Sequence, residues 1–441
     1  MTNPPDDSHR ADLLSWVESA QAPDTDFPLQ NLPLGLFHSP EQSPRPGIAI
    51  GMQVLNLVAA AQQGFLDDTI AATILACRDD TSLNPLLAMG RPALRSLRSA
   101  VSAMLRADSE QGRRARALSN ALLVPMDDAD MLMPVRVGDY TDFYASIDHA
   151  TNVGSMFRPD NALLPNYKWV PIGYHGRASS LVNSGTPVKR PRGQARDDGS
   201  ESPTFGPTRR LDYELEVGAF IGQGNALGSP IPVGAAEQHV AGLCLVNDWS
   251  ARDIQAWEYQ PLGPFLAKNF STSISPWIVT LDALAPFRTP AFSRPAGDPA
   301  PLPYLTDVGN QRDGGFAISL EVLLSSEQMR AQDVAPMRVS IGSLSSMYWT
   351  LAQLVAHHTS NGCNLRPGDL IASGTVSGAT RESRGCLLER TWRGSEPLAL
   401  PTGESRSFLE DGDEVIMRGW CEREGFRRIG FGECRGVVIP A

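Results

Sequence analysis

The chain has 441 residues, 42% of them apolar and 20% charged, with 38 Lys plus Arg against 49 Asp plus Glu and a formal net charge of −11. That leaves room for two or three domains and a sizeable core, which excludes a peptide-sized or disulfide-stapled module. The acidic balance excludes nucleic acid or an anionic membrane as the main partner, and six scattered cysteines without CxxC spacing read as reduced thiols.

Residues 1–25 are polar and rich in Pro and Asp, and read as a loosely held N-terminal arm with one short helix. They lack the basic start and apolar core of a secretory leader, and no stretch approaches the roughly 18 apolar residues of a membrane helix, so a cytoplasmic location is expected. Residues 26–133 read as a small N-terminal domain. In it GIAIGMQVLNL predicts a strand, a glycine turn and a second apolar segment, and Leu94, Leu97, Val101 and Leu105 recur at helical spacing behind Pro92. From residue 134 the pattern turns to short strands broken by Gly, Pro and Asn. Alternation over 213–217, through Phe316, Ile318, Leu320 and Val322, and in DEVIMRGWCEREGFRRIGFGE predicts that residues 134–441 are mainly β with some α. Two inserts, 193–203 and 286–303, read as surface loops.

Glu214 and Glu216 stand two apart in a strand pattern, so they share a face while Leu215 and Val217 point into apolar packing. Such a pair is either a solvated strand face or part of a cation site. Asp248 ends the apolar run AGLCLVN. Beyond it Ser250 and Asp253 resemble a helix cap, and Arg252, Gln255 and Tyr259 fall on one helix face. Asp142 and Tyr144 share a strand face in GDYTDFYASIDHATNVG, with His149 following in a turn-like stretch. Asp142, Glu214, Glu216 and Asp248, brought together, would suit Mg2+ or Ca2+ rather than zinc; without a cation some of them would have to stay protonated. His149 is the best general-base candidate, since histidine as a residue type suits proton transfer, a hydrogen-bonded structural role being equally open. His357 and His358 read as a helix end before Asn361-Gly362, and His175 as a residue orienting a loop. Gly222-Gln223-Gly224 lacks the third glycine of a dinucleotide fingerprint and reads as a tight hairpin.

Longer stretches carry a resemblance. DFPLQNLPLGLF, GDYTDFYASIDHATNVGSMFRP, LLPNYKWVPIGYHGRASSLVNSGTPVKRP, RLDYELEVGAFIG, VNDWSARDIQAWEYQPLGPFLAKNFSTSISPW, MYWTLAQLVAHHTSNGCNLRPGDLIASGT and FLEDGDEVIMRGWC are similar to the fumarylacetoacetase family, from about Asp26 to the C-terminus. The resemblance implies a small SH3-like N-terminal domain, with the helices of 65–124 added to it, followed by a β-roll catalytic domain in a homodimer. It implies hydrolysis of the carbon–carbon bond of 4-fumarylacetoacetate, a dicarboxylate diketone, to fumarate and acetoacetate, the last step of tyrosine catabolism. It further implies a catalytic Mg2+ or Ca2+ on Asp142, Glu214, Glu216 and Asp248, and a structural position on Asp248, Lys268 and Thr272. By the same resemblance His149, oriented by Glu389, is the base; Arg252, Gln255 and Lys268 face the oxyanion; and Tyr144, Arg158, Tyr174, Gln255, Tyr259 and Thr375 bind substrate. Asn269 and Ser271 stand where the family commonly has Ser and Gly. The alternative is another metal-dependent member of the superfamily, such as an acylpyruvate hydrolase. Against it stand the long N-terminal domain and the base-bearing run Tyr144-Ala145-Ser146-Ile147-Asp148-His149-Ala150.

Overall fold

The run from residue 34 to 56 folds back on itself, with a reversal at Gly51, whose φ of +56° favours glycine. It forms the antiparallel strands Leu34–Ser39, Gln42–Ile50 and Gln53–Asn56 of a computed structural model that describes residues 4–40, 42–197 and 199–441. Leu123–Pro125 and Asp130–Leu132 close the two edges to give five strands. Helices Leu57–Gln62, Asp68–Asp80, Asn84–Ala88 and Arg91–Leu105 share a core with this sheet. The last carries Pro92 in its first turn and buries Leu94, Leu97, Val101 and Leu105, as their spacing requires. Residues 4–25 differ from the expected loose arm. Leu13, Val17 and Ala20 are buried in the same core, Trp16 Nε1 donates to the Met104 carbonyl at 2.9 Å, and His9 Nε2 lies 2.7 Å from the Asp282 carbonyl. A few well-spaced apolar side chains outweigh the polar majority of that segment.

Two large sheets carry most of the rest. The larger, of eight strands, runs in the order Gly173–Gly176, Tyr140–Phe143, Leu370–Ala372, Leu215–Ile221, Val240–Asp248, Thr272–Ile274, Leu181–Asn183, with Val279–Thr280 also on Val240–Asp248. Leu370–Ala372 lies parallel to Tyr140–Phe143, and Thr272–Ile274 parallel to Leu181–Asn183; the other neighbours are antiparallel. The second sheet orders Met337–Ser343, Ser319–Ser325, Glu414–Cys421, Ile429–Ile439 and Val188–Lys189. Leu215, Val217, Ala219, Ile221, Leu243 and Leu245 face it, sharing one core with Leu320, Val322, Val415, Met417 and Phe431. On the opposite face Phe220, Cys244, Val246, Ile274 and Ala372 join the core of the N-terminal helices. The large sheet is therefore covered on both sides, and a polar group on it must find a partner at one end.

The stretch around Gly222 departs from the expected tight hairpin. Leu215–Ile221 and Val240–Asp248 do pair antiparallel, but residues 222–239 join them through the helix Val233–Ala236. Gly224 serves close approach instead, since a Cβ there would lie 2.1 Å from the Leu365 carbonyl oxygen. The insert around 193–203 is in part a two-stranded ribbon, Arg192–Ala195 with Thr204–Pro207. Helix Leu351–Thr359 ends near Gly362 (φ +93°), as the sequence anticipates.

Candidate active site

Strand geometry assembles four carboxylates at one end of the large sheet. Glu216 points away from Leu215 and Val217; Glu214 precedes the same strand; Asp248 ends the neighbouring one, its amide donating to the Glu214 carbonyl at 3.2 Å. Asp142 arrives on Tyr140–Phe143, paired with Ala372 and Tyr174. All four are buried, and one oxygen from each lies within 4.8 Å of the others.

Cationic and hydroxyl donors meet part of this charge. Lys268 Nζ donates to Glu214 Oε2 at 2.6 Å and to Asp248 Oδ2 at 2.8 Å, and Arg252 Nη1 lies 2.6 Å from Glu214 Oε1. Tyr174 and Thr272 hydroxyls donate to Asp248 at 3.0 and 2.9 Å. Asp142 Oδ1 and both Glu216 oxygens remain buried without a donor. Burial and then Asp248 push the Asp142 carboxyl up to about 8, and burial and then Asp142 push Glu216 well above the carboxylate range. For Glu214, burial opposes the charge, but Lys268 and Arg252 outweigh it and hold the carboxyl low. Orphaned buried oxygens cost about 1–3 kcal/mol each, a cost that a divalent cation removes, and an all-oxygen set suits Mg2+ or Ca2+. The residues therefore fit such an ion. Lys268 is itself kept protonated: burial disfavours its charge, but Asp248 and Glu214 prevail. An ammonium has no lone pair, so its side chain serves as a fixed cation, and any ligand role for Lys268 would fall to its carbonyl.

Opposite this cluster stands a histidine–carboxylate pair. His149 lies in the first turn of helix Ile147–Phe157 rather than in the expected turn-like stretch, because Ser146 caps that helix and accepts from the His149 amide at 3.2 Å. His149 Nδ1 is 2.6 Å from Glu389 Oε2. Glu389, fully buried on the short helix Leu387–Arg390, also accepts from Asn152 Nδ2 and Ser377 Oγ at 2.8 Å each and from Cys386 Sγ at 3.2 Å. Burial works against its charge, yet His149, Asn152 and Ser377 hold the carboxyl down at about 2. An ionised Glu389 makes Nδ1 the donor and leaves the Nε2 lone pair free. The stability this carboxylate contributes is fully present above its ordinary value of 4.5 and fades as pH falls towards 2. The stability gap between the wild type and Glu389→Gln, read by urea unfolding, should accordingly narrow from pH 5 downwards; a gap that stays constant would contradict it.

A cavity of about 520 Å3 separates the two clusters. Its wall carries Asp142, Glu214, His149, Arg252, Gln255 and Lys268, together with Tyr144, Arg158, Tyr174, Tyr259 and Thr375. Of the other expected residues, Asp248 is reached through Lys268 and Tyr174, Thr272 through Asp248, Glu389 through His149, and Glu216 through its carboxylate neighbours. Arg252 and Gln255 share the helix Arg252–Glu258 with Tyr259 at its C-cap, as expected, and Arg252 Nη1 donates to Gln255 Oε1 at 3.1 Å. The expected Ser250 cap is not made. Ser250 belongs to the strand Ser250–Ala251 paired with Leu211–Asp212, and Asp253 instead accepts from the Thr208 hydroxyl and the Arg209 amide. Arg252 Nη2 and Thr375 Oγ1 are buried without partners.

Thr375 is placed by Gly374, whose φ is +76° and whose Cβ position lies 2.0 Å from the Phe143 carbonyl oxygen. Gly374→Ala should destabilise the protein by about 2–4 kcal/mol in urea unfolding, from left-handed strain plus displacement of the strand bearing Asp142; a loss below 1 kcal/mol would refute that tight approach. Two supporting residues escape sequence reasoning. Ser377 sits in a loop without pattern. Asp212, which accepts from Arg252 Nε at 2.9 Å, continues the same two-residue period as Glu214 and Glu216, and that period was its available signal.

Residues 139–439 match the family model described as Fumarylacetoacetate (FAA) hydrolase C-terminal, and residues 30–134 the one described as Fumarylacetoacetase N-terminal. The chain is 48% identical over 437 residues to a fumarylacetoacetase of Oryza sativa subsp. japonica, covering 98% of each. It is 46% identical over 435 residues to that of Homo sapiens, covering 97% of this chain and 99% of the relative. Among solved structures, a fumarylacetoacetate hydrolase from psychrophilic Exiguobacterium antarcticum shares the fold, with a TM-score of 0.50 and 17% identity over 93% of this chain and 100% of that one.

Proposed function

This chain belongs to the fumarylacetoacetase family, and we propose that its cavity hydrolyses 4-fumarylacetoacetate to fumarate and acetoacetate, as the last step of tyrosine catabolism. The observation that carries the assignment of roles is the pairing, across one cavity, of an under-neutralised carboxylate cluster with a His149–Glu389 dyad. Asp142, Glu214, Glu216 and Asp248 would hold Mg2+ or Ca2+, with Asp248, Lys268 and Thr272 offering a structural position. An ion held there would supply Lewis-acid stabilisation of the diketone oxygens, without which a carbon leaving group is far too basic.

The chain's own groups do the rest. His149 Nε2 removes a proton from water attacking the fumaryl carbonyl, while Glu389 fixes the tautomer and the orientation of the ring. Arg252, Gln255 and Lys268 donate to the oxyanion of the tetrahedral intermediate, each well-placed donor being worth about 3–4 kcal/mol. Arg252 Nη2, buried without a partner, is the free donor for that task. Arg158, exposed at the mouth, pairs with a substrate carboxylate, and Tyr144, Tyr174, Tyr259 and Thr375 bind the remaining oxygens. The family resemblance supports an SH3-like domain over 26–133 and a β-roll domain over 134–441, assembled as a cytoplasmic homodimer.

Loss of the ultraviolet absorbance of 4-fumarylacetoacetate tests the activity; turnover of acylpyruvates in its place would overturn it. Arg158→Gln should raise KM by about tenfold or more with kcat little changed, as loss of one charge-assisted hydrogen bond requires. An unchanged KM would remove Arg158 from the substrate contacts.

A further inference from the structure

One fully buried carboxylate outside the reacting groups touches both halves of the site. Asp212 Oδ1 accepts from the amides of Tyr213 at 2.9 Å and Leu387 at 2.7 Å. Its Oδ2 accepts from Arg252 Nε at 2.9 Å and from the Leu388 amide at 2.9 Å. We propose that Asp212 is a positioning residue that holds Arg252 and the Glu389–His149 pair in mutual register for the hydrolysis, an inference that rests on the reaction assigned above.

Helix Leu387–Arg390 is a single turn. Four residues do not sustain a helix alone, and its first N–H groups have no partner within it. Cys386, at the N-cap, offers those amides no side-chain hydrogen bond. Asp212 supplies the missing cap from another strand, taking the amides of Leu387 and Leu388, so the backbone that presents Glu389 is fixed from Asp212. The same carboxylate fixes the guanidinium. Arg252 is held at Nε by Asp212 and at Nη1 by Glu214 and Gln255, which leaves Nη2 as its unpartnered donor. Only an ionised carboxylate can accept all four bonds. An amide in its place would turn its NH2 either towards Arg252 Nε and the Leu388 amide or towards the amides of Tyr213 and Leu387, setting donor against donor in both orientations.

The test compares Asp212→Asn with the full-length wild type on 4-fumarylacetoacetate. Misplacing groups by about 1 Å costs roughly 10²-fold, so kcat should fall by about that factor while KM stays within about threefold and Mg2+ affinity by calorimetry is unchanged. In a Glu389→Gln background the same substitution should cost about tenfold less, because the two act through one geometry. An unchanged kcat, or a loss that is fully additive with Glu389→Gln, would overturn the inference while leaving wild-type turnover, and hence the reaction, intact. Absence of wild-type turnover would overturn both. Should Asp212→Asn fail to fold, amide exchange in the wild type decides: Leu387 and Leu388 amides should be as protected as those of Leu215–Ile221, and fast exchange there would remove Asp212 as their cap.

Discussion

Replacing His149 by Ala should lower kcat by about 10²–10⁴-fold and leave Mg2+ affinity unchanged. Among the described residues of the cavity wall, no other side chain is placed to take over as the base. Lys268 is held protonated by Asp248 and Glu214, burial pushes the Tyr144 and Tyr174 hydroxyls up, and Arg252 stays charged against Glu214 and Asp212. Asp142 and Glu214 are committed to the carboxylate cluster. Only the imidazole combines a free lone pair facing the cavity with a partner that fixes its tautomer. In the variant Glu389 keeps Asn152 and Ser377 but loses the partner that contributes most to its low value, so its carboxyl should rise from about 2. Thermal melting must accompany the kinetics, because a fold destabilised by that change would also lower the rate. Wild-type kcat in a folded His149→Ala protein would remove His149 as the base.

Local pattern made some parts of this molecule legible and not others. Alternation exposes Glu214 and Glu216 on one strand face, and helical spacing places Arg252, Gln255 and Tyr259 on another, since each depends only on the period of its own element. The helix Arg91–Leu105 and the hairpin of Glu414–Cys421 with Ile429–Ile439 were readable for the same reason. Convergence was not readable from period. Asp142 reaches the cluster through a parallel pairing with Leu370–Ala372, more than two hundred positions away in sequence, and Glu389 meets His149 across a similar span. Those contacts came from family resemblance, which carries tertiary information that a single strand cannot. What failed locally did so by tertiary override: Ser250 looks like a cap but belongs to a strand, and Gly222 and Gly224 look like a turn, while Gly224 makes room for a carbonyl. Ser377 stayed silent because a supporting hydrogen bond leaves no periodic trace, and Asp212, although it shares the two-residue period of Glu214 and Glu216, gives no local sign of the contacts it makes with Arg252 and the Leu387–Arg390 helix.

Exhaustive chelation should abolish turnover, and Mg2+ or Ca2+ should restore it; full activity after chelation would refute the metal role outright. The carboxylate cluster makes a second, independent demand. Without a cation, burial and Asp248 place the Asp142 carboxyl at about 8, against an ordinary 3.8, and Glu216 is displaced in the same direction. Between those two values the folded chain binds more protons than the unfolded one, so stability of the chelated protein must fall as pH rises across that window. The loaded protein has its carboxylates ionised and neutralised by the ion, so the same dependence should be absent. Melting temperatures of the chelated protein should therefore drop from pH 5 to pH 8 while those of the Mg2+-loaded protein do not follow, and removal of the ion at pH 7 should draw protons from solution. Parallel pH profiles, or chelation without proton uptake, would mean that Asp142 and Glu216 are not the groups the ion neutralises, whatever the activity assay shows.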